Sequence, residues 1–184
     1  MNSIQTLLNE YFDPHLQKTW SEVNAVKKVS LSNNQLTAEI TLNYPVLALE
    51  NTLAPLKEKL LKIADIQEVE IKLTQKIDPH ITQPNVPGIP QVKNIIAVGS
   101  GKGGVGKSTT AVNLALALLT QGAKVGILDA DIYGPNQPQM LGSDFHLQAE
   151  NGKPLPPVHL HGLQTMSMAY LIDPITPMIW RGPM

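Results

Sequence analysis

Residues 99–110 read GSGKGGVGKSTT and follow the apolar run NIIAV at 94–98. Glycines and lysines crowd into positions where a core would place hydrophobic side chains. Beyond the loop, STTAVNLALALLTQG (108–122) predicts a helix with a stripe of Ala111, Leu114, Ala115 and Leu118 that stops at Gly122. KVGILDAD (124–131) then reads as a strand, with Val125, Ile127 and Leu128 apolar. Strand, loop, helix and strand in this order predict the right-handed unit of a parallel α/β sheet.

Gly101, Lys102, Gly103, Gly104, Val105, Gly106, Lys107 and Ser108 fit G-x-x-x-x-G-K-[ST], the phosphate-binding P-loop. Glycines let successive backbone N–H groups turn toward a polyphosphate with no Cβ in the way, and the following helix adds its positive N-terminal end. Lys107 would reach the β- and γ-phosphates, and the Ser108 hydroxyl would ligate Mg²⁺. A rival uses the same residues: Gly101-x-Gly103-x-x-Gly106 also fits the dinucleotide fingerprint, with Asp129 where a ribose-binding acid would sit. A dinucleotide loop, however, has no use for Lys107-Ser108 at the helix start, and Lys102 would crowd its tight turn.

The 184 residues carry 14 Lys+Arg against 15 Asp+Glu, so no basic stripe speaks for nucleic acid as a partner. With no cysteine in the chain, disulfides and thiolate-held metal clusters within these residues are excluded. No apolar stretch reaches the roughly 18 residues of a membrane span, and the N-terminus lacks the pattern of a secretory signal. The expectation is a cytoplasmic protein with neither a membrane nor a nucleic-acid partner.

Prolines at 79, 84, 87 and 90 mark residues 78–93 as a semi-extended linker. Before it, residues 1–77 predict a small α+β domain. Ser3 is a candidate N-cap for a helix with Ile4, Leu7, Leu8 and Tyr11 on one face. Two strands flank an SNNQ turn, with Leu36, Ala38, Ile40 and Leu42 alternating. A second helix over 49–63 aligns Leu53, Leu56, Leu60 and Ile63, and a last strand carries Val69, Ile71 and Leu73. His15 reads as a solvated surface histidine. Residues 94–184 complete the expected fold class, α/β, as a partial P-loop NTPase parallel sheet preceded by the small domain. In that part His159-x-His161 would place two imidazoles on one strand face, without a third ligand nearby. Met166 and Met168 read as core residues of a third strand.

A second lysine at position 102 in GKGGVGKST resembles the deviant Walker A signature of the ParA/MinD-type ATPases. LDADIYGPNQPQMLG (128–142), IWRGPM (179–184) and the small N-terminal domain with its Asp13-Pro14 narrow the resemblance to the Mrp-type (ApbC-like) branch. That resemblance implies an ATPase that carries iron–sulfur clusters to apo-proteins and works as a homodimer through its ATP site. It implies nucleotide contacts from Gly101 through Thr109, with Lys102 reaching the partner subunit's nucleotide. Asp129 would stand near Mg²⁺ through water, Asp131 would orient the attacking water, and Trp180 and Arg181 would pack at the dimer face. It also implies a Walker B strand and a Cys-x-x-Cys pair that these residues do not contain. The expectation is therefore the N-terminal half of a longer protein, or a truncated gene product, hydrolytically silent by itself, with cluster ligands elsewhere. The N-terminal domain has NYPVLALEN where its relatives often place a cysteine, which puts a redox role for it in doubt. The alternative function is a ParA/MinD-like dimerisation switch for partitioning.

Overall fold

The computed structural model describes residues 2–80, 86–148 and 153–171. Two compact units emerge, Met1–Ile95 and Ile96–Met184.

The first unit opens with α1 (Asn2–Asn9), whose Ile4 and Leu8 are buried. Its helical conformation already includes Asn2, so Ser3 lies inside the first turn and is not the N-cap. A short ladder of β1 (Phe12–Asp13) and β2 (Lys18–Thr19), absent from the sequence reading, follows. Next come β3 (Val26–Ser32) and β4 (Gln35–Leu42), paired antiparallel across Asn33 and Asn34. Both asparagines have positive φ, 49° and 64°. A two-residue loop of that kind matches the twist of its flanking strands, which is why SNNQ makes a tight hairpin.

The expected second helix divides into α2 (Leu47–Glu50) and α3 (Ala54–Leu61). Pro55, within the first two residues of α3, explains the break: it has no N–H for the preceding turn and fits only a helix start. The last strand, β5 (Glu68–Gln75), lies parallel to β4 and makes β4 central in the order β3-β4-β5. Leu36, Ala38, Ile40 and Leu42 project from β4 into one core with Ile4, Leu8, Leu53, Leu56 and Leu60.

The proline-rich segment is tied across its base. The His80 amide donates to the Lys93 carbonyl at 3.0 Å, and Lys93 Nζ donates to the Ile77 carbonyl at 2.7 Å. Asn94 Nδ2 donates to the Asp78 carbonyl at 3.2 Å.

Across the boundary of the two units the run 94–98 forms no strand, a correction to the sequence reading. Ile95 and Ile96 are 63% and 61% exposed. A strand exists only through its ladder, and none of the described strands pairs with this run. The helix forms as expected: α4 (Lys107–Thr120) ends at Gly122, where Gly122 N–H bonds Leu119 O and Ala123 N–H bonds Leu118 O. That pair of bonds is a Schellman stop.

The buried face of α4 differs from the predicted stripe. Val112 and Ala115 are buried, with Leu116 and Leu119 packed beside them, while Leu114 is exposed. Both sets have helical spacing in this Ala/Leu-rich helix, so only the partners decide. Those partners are Leu141 and Leu163. Behind α4 lies β6 (Gly126–Leu128), then α5 (Gln137–Met140) and a hairpin of β7 (Val158–Leu160) and β8 (Leu163–Met166). β8 is central, parallel to β6 and antiparallel to β7, so the sheet is mixed. A 3₁₀ turn, Met168–Tyr170, closes the described chain. Among the described residues no helix is long and apolar enough to cross a membrane.

Candidate functional site

The glycine loop runs directly into α4. Gly106 is the residue before the helix, with φ 88° and ψ 21°, and Gly104 also has positive φ, 72°. These left-handed conformations disfavour side chains and account for two of the loop's glycines from the backbone alone. Gly101 and Gly103 are different. Neither has positive φ, and a Cβ at either would meet nothing within 4 Å. The chain's own packing thus does not require glycine there. Thr110 bonds the Gly106 carbonyl through both its amide (2.9 Å) and its hydroxyl (3.0 Å), fixing the junction of loop and helix. Lys107 and Ser108 begin the helix half-buried; Lys102, Val105 and Thr109 are exposed. The Ser100 hydroxyl donates to the Lys102 carbonyl at 2.9 Å.

Asp129 and Asp131 follow the C-terminal end of β6, and Asp131 reaches Lys107 at the start of α4. Lys107 Nζ lies 3.2 Å from Asp131 Oδ2, a half-exposed ion pair. Asp131 Oδ1 accepts the Gly134 amide at 3.1 Å. That amide first, and then the Lys107 ammonium, holds the Asp131 carboxyl below the usual carboxylate range. Asp129 is engaged on both oxygens. Oδ1 accepts the Asp131 amide (3.1 Å), and Oδ2 accepts the Gln137 amide (3.3 Å) and the Ser167 hydroxyl (3.0 Å).

Ser167 was missed by the sequence reading. It is buried at the end of β8 and accepts the Ala169 amide at 3.2 Å, which leaves its proton for Asp129. Its only trace in the sequence is its place between Met166 and Met168, a spacing that suggests core packing. Two further acceptors nearby, Asn136 Oδ1 and Gln137 Oε1, are buried without a partner among the described residues.

The histidine pair separates. His159 is on β7, but His161 sits in the hairpin turn at φ 51°, with Nε2 2.9 Å from the Leu141 carbonyl. No group of three or more metal-ligating His, Cys, Asp or Glu residues exists among the described residues. Met166 on β8 and Met168 in the 3₁₀ turn are half-buried. Trp180 and Arg181 lie outside the described residues.

A second polar centre, in the first unit, was visible in the sequence only as Asp13-Pro14. Asp13 is fully buried. It accepts the amides of His15 and Leu16 on Oδ1 and Trp20 Nε1 and the Tyr44 hydroxyl on Oδ2, the last at 2.6 Å. Burial, and then Asp13, pushes the Tyr44 hydroxyl far above the ordinary tyrosine range. With its carboxylate fully subscribed, Asp13 pins the β1–β2 turn to the core. His15 is exposed, its ring 5.4 Å from that of Tyr44.

Residues 91–184, half of the chain, match the family profile described as ParA: NUBPL iron-transfer P-loop NTPase. The chain belongs to this P-loop NTPase family. An iron-sulfur cluster carrier protein of Synechocystis is 44% identical over 188 residues, covering 100% of this chain and 53% of its own length. That of Escherichia coli K12 is 44% identical over 184 residues, covering 97% of this chain and 49% of its own length. The chain therefore spans about half the length of these curated relatives. A nucleotide-binding protein of Archaeoglobus fulgidus, solved in complex with ADP, is 44% identical over 40% of this chain and 31% of its own, at a TM-score of 0.36. The α/β architecture and the P-loop are thus those of the family, and the dinucleotide alternative is set aside.

Proposed function

We propose that the protein binds and hydrolyses ATP and carries iron–sulfur clusters to apo-proteins, as a cytoplasmic homodimer formed through the ATP site. The observation that carries the nucleotide part is the loop geometry: two left-handed glycines, Gly104 and Gly106, and a lysine opening α4 directly after them. On this reading Gly101 through Thr109 wrap the phosphates and Lys107 neutralises the terminal ones. Lys102, exposed on the loop, reaches the partner subunit's nucleotide. Ser108 and Asp129 offer hard oxygen donors suited to Mg²⁺, though Asp129 already holds three protein donors and would act through a metal-bound water. Mg²⁺ would supply charge neutralisation between phosphates. Asp131 orients the attacking water.

The cluster is cargo on this reading. This chain has no cysteine, so its 184 residues offer no thiolate to hold one, and no transfer step is assigned to them. The division of labour we propose is a small iron–sulfur-assembly-type domain over 1–77, a linker over 78–93 and the opening part of the ATPase domain over 94–184. Support for cargo transfer comes from the relatives' names and the family description.

The test uses the intact protein, reconstituted with iron and sulfide under anaerobic conditions. Lys107→Ala should abolish ATP binding, and Lys102→Ala should leave binding intact while lowering turnover. Cluster transfer to an apo-ferredoxin should respond to ATP in the wild type alone. Turnover that survives Lys102→Ala would remove the cross-subunit role, and absence of iron uptake would remove the carrier function.

A further inference from the structure

Lys107 is the residue that the phosphate-loop reading assigns to the nucleotide, yet its ammonium is already occupied. It lies 3.2 Å from Asp131 Oδ2, and Asp131 is held in place by the Gly134 amide on its other oxygen. A polyphosphate oxygen and Asp131 Oδ2 would compete for one cation. Both cannot sit close to it without bringing two negative charges together. The turn bearing Asp131 is exposed at its tip, and two polar side chains follow it closely. Asn136 Oδ1 and Gln137 Oε1 are buried without partners among the described residues, and Ile132 and Tyr133 are 48% and 61% exposed.

We propose that Asp131 is an internal stand-in for the phosphate, pairing with Lys107 until a polyphosphate displaces it. Polyphosphate binding exchanges this ion pair and releases the turn from Asp131 to Gly134. The exchange makes Asp131 available only once phosphate is bound, so the residue that would orient water is freed together with the arrival of its substrate. This deepens the phosphate-loop reading and rests on it.

The measurement is the affinity of the chain for inorganic tripolyphosphate, followed by its ³¹P resonances, for wild type, Asp131→Asn and Lys107→Ala. Half-exposed ion pairs hold their partners only modestly, and the asparagine also removes a negative charge facing the anion. Asp131→Asn should therefore bind about threefold to tenfold more tightly than wild type. In parallel, the ¹³C carboxylate signal of Asp131 should move when tripolyphosphate saturates the wild type. Affinity in Asp131→Asn that is equal, weaker or still undetectable overturns the stand-in role, as does an Asp131 signal that stays put on saturation. Lys107→Ala separates the two claims. If it binds as tightly as wild type, the phosphate-loop reading fails; if it loses binding while Asp131→Asn gains none, only the stand-in role fails.

Discussion

Two carboxylates in this chain make similar numbers of hydrogen bonds to different ends. Asp13 is sealed in the core of the first unit by two amides, an indole and a phenol. Asp129 accepts two amides and the Ser167 hydroxyl at the open end of a strand, close to the residue that pairs with the loop lysine. The first arrangement supports structure and should respond as structure does. Removing the phenol by Tyr44→Phe takes a hydrogen bond from a buried charge, a change of about 1.5–3 kcal/mol. Urea denaturation should show that loss, and a loss below about 0.5 kcal/mol, the ordinary scatter of a surface substitution, would mean Asp13 does not depend on Tyr44. Tyr44 also sets an alkaline limit. Its folded-state pKa is raised, so the fold favours the protonated phenol, and the stability this gives is fully present below the ordinary tyrosine range. It declines as pH rises above about 10, where the unfolded chain's tyrosine ionises. In Tyr44→Phe that part of the alkaline decline should be missing. None of this was legible in the sequence beyond Asp13-Pro14, because Trp20 and Tyr44 reach Asp13 from 7 and 31 residues away. Ser167 and Asp129, 38 residues apart, were hidden for the same reason.

At the level of elements, what the sequence revealed depended on whether the signal was local. The Asn33-Asn34 hairpin and the stop of α4 at Gly122 are written in a few adjacent residues, and both formed as read. Pro55 was also local but was passed over for the stronger leucine periodicity, and it divides the helix. The failures needed knowledge of a partner. Residues 94–98 have strand composition but no ladder, and α4 turned its Val112–Ala115 face inward because Leu141 and Leu163 are there. The loop gives the sharpest test at this scale. Gly106 sits at φ 88°, and forcing an alanine into that left-handed conformation costs roughly 1–2 kcal/mol. Gly106→Ala should therefore fray the first turn of α4, seen as faster amide exchange around 107–110, and weaken phosphate binding along with it. Exchange and binding identical to wild type would show that the left-handed cap is not what shapes the loop.

The whole molecule is two units, each with its own core. The core of Met1–Ile95 gathers many large side chains around β4, whereas among the described residues that of Ile96–Met184 centres on Val112, Ala115, Leu141 and Leu163. Leu163 is fully buried at its centre. Leu163→Ala should cost about 2–5 kcal/mol in the second unit alone. The Trp20 signal of the first unit should keep its wild-type unfolding midpoint, while amide exchange along α4 accelerates. A shifted Trp20 midpoint would mean the two units unfold together. The same organisation explains why the loop motif was more legible than the sheet around it. A phosphate loop is a contiguous string, while a parallel sheet is assembled from strands far apart in sequence. The central claim remains that residues 101–108 hold a polyphosphate through Lys107, and ³¹P resonances of Mg·ATP titrated with the 184-residue chain test it directly, since they register even millimolar binding. The account predicts that the β- and γ-phosphate signals shift or broaden with the wild-type chain and remain at their free positions with Lys107→Ala. Equal perturbation by both chains, or by neither, would contradict it.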